Sequence, residues 1–530
     1  MILPRPRWIV LLCAVASGLL LTAGYAPFSQ AWCGWIALGP MSLGLMYGAR
    51  SWRAALVAGY VSGAVHFGTS LFWINEVTTL GWFALTLYLG LYPALWALVW
   101  WLYVQRARHR LTSVLNISRA LFGASAWVLL EWIRGWLFSG FPWNDLGVTQ
   151  HEVIGIIQIA ELGGVLLLSW LVAFVSLSIA LTLARMLKEI KREPTLKNRW
   201  EFTLAMGLAA LSFIFGVKVV LEKPDYPVTL HYLAIQPNLP QDPWGRGVSM
   251  REAMAKLQVL SISGLSDPGA SGRVDLVIWP ETPVPEEIYA DPGFNDLLKS
   301  LTVDRGESWL FGSNYFAGGK VYNSAFLFNP GVARPGIYSK NHLVIFGEYT
   351  PLADVFPIIR KLTPLGMDFS PGTEAALLYL NRPALKIAPL ICFEDALPQA
   401  ATAFARQQPD LFINITNDGW FNRSAQSRQH LANAVFRTIE HRRPMLRVTN
   451  SGVTAAISEK GVVTNILKDD ATGSTYISGY KKGDLGIPRV RTTFYELWGD
   501  WIVWLSLALV LACIFHAHFD DRRIGAVAQR

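Results

Sequence analysis

Cys392 closes a largely apolar run, Leu385-Lys-Ile-Ala-Pro-Leu-Ile-Cys392, and two acids, Glu394 and Asp395, follow it at once. The run has the length and composition of a buried strand. A thiol at the end of such a strand is held rigidly and can face a cleft, where it would serve as a nucleophile. Taken alone it reads equally as a small buried hydrophobe, as most free cysteines are. A second stretch, Val274-Asp-Leu-Val-Ile-Trp-Pro-Glu281, carries an apolar strand into Trp279-Pro280 and then an acid. Proline ends the strand ladder and stiffens its exit. Glu281 would then project into partly apolar surroundings, which raise a carboxyl pKa and suit it to general-base work. The plain alternative is a surface glutamate in a Pro-rich loop. In a third stretch, Lys340 and Glu348 flank the apolar segment Leu343–Phe346. A lysine near a cysteine favours the thiolate and can hold an oxyanion; by itself it reads as a solvated side chain. Together a thiol, a carboxylate base and a cation form a coherent set for acyl transfer. No His–Cys dyad is evident, although His430 and His441 lie downstream. No Cys/His metal spacing and no phosphate-cradling glycine loop occurs.

The elements that must position these groups fall into two textures. Of 530 residues, 52% are hydrophobic, 22 are Trp and only 16% are charged, well below the roughly 25% of an ordinary soluble protein. This is a membrane composition diluted by a soluble part. Apolar spans cover about 8–25, 31–47, 54–74, 80–103, 119–138, 154–187, 202–220 and 498–516, each near or above the ~20 residues a bilayer needs. That predicts an α-helical transmembrane bundle of about eight helices, with the start of 154–187 at the interface. Every second connection is basic: Arg5 and Arg7; Arg50 and Arg53; Arg106, Arg108, Arg110 and Arg119; Arg185, Lys188, Lys191, Arg192, Lys197 and Arg199; Arg522 and Arg523. The positive-inside rule then puts both termini in the cytoplasm and the segment between the last two spans outside it. The net charge of +8 belongs to these loops and does not signal nucleic-acid binding. Three of the four cysteines lie in or beside apolar spans, so no disulfide framework is suggested. Glu131 and Arg134 sit inside the fifth span and read as a structural pair one turn apart, or as a contact for a lipid headgroup.

From about 221 to 495, charged, Pro and Gly residues become frequent. Short apolar runs over 228–236, 274–279, 309–312, 324–329, 385–392, 411–416, 445–449 and 454–458 alternate with amphipathic stretches at 249–264, 294–303 and 429–441. Strands interleaved with helices indicate an α/β domain. The expected organisation is therefore 1–220 as a bundle of seven helices, 221–495 as an extracytoplasmic catalytic domain, and 496–530 as the last helix and tail.

The ordered set Trp-Pro-Glu281, Lys340 and Cys392-Phe-Glu394 resembles the Glu-Lys-Cys triad of the nitrilase superfamily. With the eight-span arrangement, it is similar to the membrane-embedded branch of that superfamily, the apolipoprotein N-acyltransferases. The stretches Gln236-Pro-Asn-Leu-Pro240, Phe346-Gly-Glu348-Tyr-Thr-Pro351, Asn417-Asp-Gly-Trp420-Phe421 and Arg443-Pro444…Arg447-Val-Thr-Asn450-Ser-Gly452 add to the likeness, which covers nearly the whole chain. The resemblance implies an αββα nitrilase-like sandwich and transfer of an acyl chain from a phospholipid to the N-terminal amine of a diacylglyceryl-cysteine. Under it Glu281 is the base, Cys392 the nucleophile that becomes a thioester, and Lys340 the oxyanion-stabilising cation. Glu348 and Glu394 support the triad by holding Lys340 or the acceptor amine. Trp244 matches an aromatic of the substrate entrance. Phe393, counted with the substrate-contacting positions, stands where some relatives carry Tyr.

These expectations imply no metal and no cofactor. The implied partners are a membrane phospholipid as donor and diacylglyceryl apolipoproteins as acceptors, with no nucleic acid; the chain acts as a monomer in a bacterial inner membrane, its catalytic domain periplasmic. Two alternatives are kept: a membrane-anchored nitrilase-type amidase that delivers the acyl group to water, and a non-catalytic polytopic transporter or sensor.

Overall fold

The computed structural model describes residues 8–105, 111–190, 198–241, 248–268, 272–282, 306–332, 334–351, 353 and 368–528. Arg5, Arg7, Arg106, Arg108, Arg110, Lys191, Arg192, Lys197, Trp244 and the stretch 294–303 lie outside the described residues, as do the side chains of Arg522 and Arg523. The chain divides into two compact units, Met1–Glu222 with Leu497–Arg530, and Lys223–Glu496.

The first unit is helical. Four helical stretches, Thr79–Gln105, Ser113–Arg134, Ala160–Glu189 and Trp200–Leu221, are long and apolar enough to cross a bilayer, and Trp8–Ala23 and Trp501–Ala517 are apolar but shorter. Exposed Leu211, Phe213 and Ile214 on one of them suit a hydrocarbon surrounding rather than water. Several expected spans are interrupted, for local reasons. Residues 31–47 form Ala31–Gly34 and Leu38–Tyr47, with Pro40, which has no N–H to donate, in the first turn of the second piece. Residues 154–187 start with the separate turn Ile154–Ile157, and the following helix is broken at Gly163 and Gly164, where Gly164 takes φ +67°. Glu131 and Arg134 feel each other's charge, and each takes other hydrogen-bond partners. Arg134 Nη2 lies 2.6 Å from Asp145, and Glu131 Oε1 accepts from Trp127 Nε1 and from the Leu146 N–H, each at 2.7 Å.

The second unit is built from β1 (Val228–Gln236), β2 (Leu276–Ile278), β3 (Ser308–Ala317), β4 (Lys320–Phe328), β5 (Gly336–Ser339), β6 (Leu378–Asn381), β7 (Ala384–Ile391), β8 (Leu411–Thr416), β9 (Met445–Thr449), β10 (Ala455–Ile457), β11 (Val463–Thr464) and β12 (Gly479–Ile487). They form two six-stranded sheets, ordered β12-β1-β2-β3-β4-β5 and β11-β10-β9-β8-β7-β6. Each sheet has a parallel centre, β1-β2-β3 in one and β7-β8-β9 in the other, flanked by antiparallel strands. All residues of β2, β8 and β9 are buried, as parallel strands covered on both faces must be. The sheets meet through buried polar contacts such as Thr454 Oγ1 to Gln236 Oε1 at 2.7 Å. Helix Met250–Ser266, started by a Ser249/Glu252 capping box, packs on the first sheet through Leu257 and Trp279. Helices Pro398–Ala405 and Gln426–His441 belong with the second sheet.

Candidate active site

Three chain segments leave the sheets at one place. β2 ends at Ile278, and Trp279-Pro280 lead to Glu281. The Trp279 indole N–H donates to Ser261 at 3.0 Å, its backbone N–H to Leu310 O at 2.9 Å, and the Gly312 N–H to Pro280 O at 3.2 Å. The exit of β2 is thus strapped along β3. Gly312 permits this closeness: a Cβ there would meet Thr282 N at 2.6 Å and Glu281 Cα at 2.8 Å. β5 ends at Ser339 and delivers Lys340, whose N–H donates to Asn323 O at 2.8 Å. From the other sheet, β7 ends at Ile391, and Cys392 opens the 3-10 turn Cys392–Ala396 with φ +52°. Both Glu281 and Cys392 therefore stand at the C-terminal ends of parallel strands, where open α/β sheets place their ligands.

The side chains converge. Lys340, 1% exposed, has its Nζ 2.8 Å from both oxygens of Glu348 and 3.9 Å from Glu281 Oε1. The amide of Asn323 donates to Glu281 Oε1 at 2.7 Å and to Glu348 Oε1 at 3.1 Å. Glu348 Oε2 also accepts from the Val344 N–H at 2.8 Å, so Glu348 holds Lys340. Burial pushes the Glu281 carboxyl above its ordinary range and the charge of Glu348 adds to this, while Lys340, Asn323 and a hydrogen bond with the Cys392 thiol pull the other way. Burial alone would lower Lys340; the charges of Glu348, Cys392 and Glu281 raise it well above the ordinary lysine range. Burial, reinforced by the negative charges of Glu281 and Asp418, pushes the Cys392 thiol far up, against the pull of Lys340. Burial therefore favours the thiol, which would have to lose its proton to a base in order to act as a nucleophile.

Glu394 is fully buried and occupied. Its Oε1 accepts from Tyr338 Oη at 2.8 Å, the Asn341 N–H at 2.9 Å and the His342 N–H at 3.1 Å, and its Oε2 from the Ile391 N–H at 2.9 Å. Burial would raise its pKa, but hydrogen bonding to His342, Ile391 and Tyr338, with the Lys340 charge, brings it below the usual value. It ties the Lys340 loop to the Cys392 turn. Phe393 follows Cys392 in that turn and is half-buried. Trp244 lies outside the described residues; Gln241, three positions before it, lines a cleft of about 440 Å³ with Asn238, Pro240, Gly419, Arg423 and Tyr476.

Some members of the site left little sequence signal. Asn323 sits at the edge of an apolar run, and its bridge between two carboxylates depends on β3–β4 pairing. Behind Cys392, His430 lies 2.7 Å from Asp395 and 2.9 Å from Asp418, and Arg447 pairs with both acids. His430 thus belongs to a buried charge cluster rather than to a dyad with the thiol. Among the described residues no group of His, Cys, Asp and Glu is arranged to hold a metal ion.

A two-sheet α/β domain with Glu, Lys and Cys gathered at its strand ends defines the carbon–nitrogen hydrolase class, and residues 242–478 match the family described as carbon-nitrogen hydrolase. Residues 17–178 match the apolipoprotein N-acyltransferase N-terminal domain. The apolipoprotein N-acyltransferase of Geobacter metallireducens is 32% identical over 522 residues, spanning 96% of this chain and 94% of its own length. That of Pseudomonas putida is 32% identical over 527 residues, 96% of each chain. The structure of Saccharomyces cerevisiae Nit3, described as a member of branch 10 of the nitrilase superfamily, matches with 13% identity and a TM-score of 0.36 over 52% of this chain and 94% of its own. The chain belongs to the apolipoprotein N-acyltransferase family, and is a membrane enzyme of the nitrilase superfamily.

Proposed function

We propose that this enzyme moves an acyl chain from a membrane phospholipid to the free α-amine of a diacylglyceryl-cysteine at the N-terminus of a lipoprotein, through a thioester on Cys392. The observation that carries the reading is the meeting of Glu281, Lys340 and Cys392 at one buried site in a chain of this family. Glu281 takes the thiol proton as sulfur attacks the ester carbonyl. Lys340, locked by Glu348, holds the negative charge of the tetrahedral oxygen. Collapse breaks the ester C–O bond, and Glu281 returns the proton to the departing lysophospholipid oxygen. The amine of the acceptor then attacks the thioester, Glu281 receives its proton, an amide forms, and the sulfur leaves to be reprotonated. A covalent relay lets two large lipids use one site in turn.

In this reading 1–220 and 496–530 anchor the enzyme through eight spans in a bacterial inner membrane, with both termini cytoplasmic and the catalytic domain 221–495 periplasmic. It acts as a monomer, with Trp244 and Phe393 contacting substrate and Glu348 and Glu394 supporting the triad. Neither metal nor cofactor has a step to perform. The test is to incubate the full-length enzyme with labelled phospholipid alone. An acyl adduct on Cys392 with release of lysophospholipid is expected, followed by discharge to a diacylglyceryl-cysteinyl peptide. Discharge only to water would instead assign an amidase, and absence of any adduct would remove the catalytic reading.

A further inference from the structure

The nucleophile sits in a backbone conformation that a non-glycine residue adopts reluctantly, at φ +52°. Such a turn persists only where its surroundings over-determine it. The groups that do so run along one cross-strand row. In the parallel centre of the second sheet, Leu390, Asn414 and Arg447 are register partners on β7, β8 and β9. The Asn414 amide donates to Cys392 O at 3.1 Å and reaches Leu390 O at 3.4 Å. Its own oxygen accepts from Arg447 Nη1 at 2.9 Å, which fixes which end of the amide faces the turn. The same Nη1 pairs with Asp395, inside the Cys392–Ala396 turn, and Nη2 lies 2.9 Å from Asp418. Asn414, Arg447 and Asp395 are each 0% exposed.

We propose that Arg447 is a positioning residue for the nucleophile: its guanidinium grips the Cys392 turn twice, through Asn414 on the Cys392 carbonyl and through Asp395, and anchors that grip on Asp418. A fork of fixed geometry is what this task needs, because one side chain must serve Asn414, Asp395 and Asp418 at once. A lysine keeps the charge but offers a single ammonium that cannot span them. His430, from helix Gln426–His441, sits between the two acids and 2.8 Å from Arg447 Nη2, and Gln426 donates to Asp418 at 3.1 Å. The row thus links the two carboxylates, the imidazole and the guanidinium to the backbone on either side of the sulfur.

The inference deepens the thioester reading, but its first measurement does not depend on it. In the full-length enzyme, alkylation of Cys392 by iodoacetamide is followed against pH for the wild type, Arg447→Lys, Asn414→Ala and the double variant, beside their thermal stability. Misplacing a reacting atom by an ångström costs about 100-fold in rate. Arg447→Lys is therefore expected to remain folded and slow both alkylation and acylation by about that factor, with KM for phospholipid within a few-fold. Asn414→Ala should do the same, and the double variant should be no slower than the slower single one, because both cut one chain of contacts. Wild-type alkylation kinetics retained in folded Arg447→Lys overturn the proposal. If that variant does not fold, wild-type kinetics in Asn414→Ala overturn it, and so do additive losses. An enzyme whose alkylation follows the expected order but which never acylates its acceptor sinks the acyl-transfer reading and leaves the positioning role standing.

Discussion

Lys340 is held by Glu348: the ammonium lies 2.8 Å from both carboxylate oxygens, and both side chains are buried. The pairing leaves Glu281, 3.9 Å from the same nitrogen, free of direct capture. A base locked in an ion pair would be a poor proton acceptor, so under the proposed mechanism Glu348 would keep the cation and the base in separate roles.

Removing that hold should be costly in a particular way. In Glu348→Gln the buried Lys340 loses its charged partner, and breaking a buried pair costs about 3–5 kcal/mol unless another charge takes over. Glu281 is the nearest substitute, and its capture by Lys340 would remove the base. The expected outcome is a folded protein with a lowered melting temperature and a loss of at least about 100-fold in kcat/KM. Unchanged turnover would show that Glu348 does not organise the cation.

The raised carboxyl of Glu281 fixes a pH dependence. Its raised folded pKa is caused first by burial. In the proposed role Glu281 accepts a proton only when ionised, so kcat/KM should fall as pH drops through that raised value, with an acid limb above the ~4.3 of an ordinary glutamate. The stability sign is opposite. A group whose folded pKa lies above its unfolded one stabilises the fold below the unfolded pKa and loses that contribution as pH rises through the folded value. Above its raised folded pKa the ionised Glu281 is thus a net burden. Glu281→Gln should abolish acylation while unfolding no more easily than the wild type at pH 7, as pH–rate profiles and thermal melts would check.

Much of this was legible in the chain, for physical reasons. The runs at 228–236, 411–416 and 445–449 coincide with β1, β8 and β9, because strands buried along most of their length are rich in apolar residues. Gly479–Ile487, with its lysines and glycines, gives no such signal; it is a strand because β1 pairs with it along its length. Glu281 and Cys392 could be picked out because each stands at the end of an apolar run, and Lys340 because it and Glu348 flank one. Asn323, Asn414 and Arg447 could not, since what they do is set by cross-strand register and by the meeting of two sheets, which spacing along the chain does not encode. The Glu131–Arg134 spacing showed part of their contacts: their charges interact, while Asp145, eleven residues on, takes the arginine's hydrogen bond.

Gly312 offers a test of how tightly the base is placed. Its N–H donates to Pro280 O, and a Cβ would press on three backbone atoms at once, Thr282 N at 2.6 Å, Glu281 Cα at 2.8 Å and Pro280 O at 2.9 Å. Backbone cannot rotate away as a side chain can. Gly312→Ala should shift Glu281 from its bond with Asn323, lowering kcat by about 100-fold for a stability loss of only about 1–3 kcal/mol. A rate within a few-fold of wild type would mean that the loop absorbs the methyl elsewhere.

Glu394 is expected to act on stability as well as on rate, through its four donors. Three of them, from Tyr338, Asn341 and His342, converge on Oε1, and the Ile391 N–H meets Oε2. A glutamine keeps the shape but has one acceptor. Its NH₂ must then face either the three donors or the Ile391 N–H, and leaving a buried donor unsatisfied costs about 1–3 kcal/mol. The Ile391 N–H immediately precedes the nucleophile, so the less costly orientation still loosens the Cys392 turn. The pH signature follows from a folded pKa below the unfolded one. Such a carboxylate contributes stability that is present above the unfolded value, ~4.3, and is lost as pH falls through the depressed folded value. The gap in unfolding free energy between wild type and Glu394→Gln should be full at pH 7 and narrow only once the pH drops below that unfolded value. A gap that stays constant through the acid range would mean that the carboxylate's charge is not what these four donors recognise.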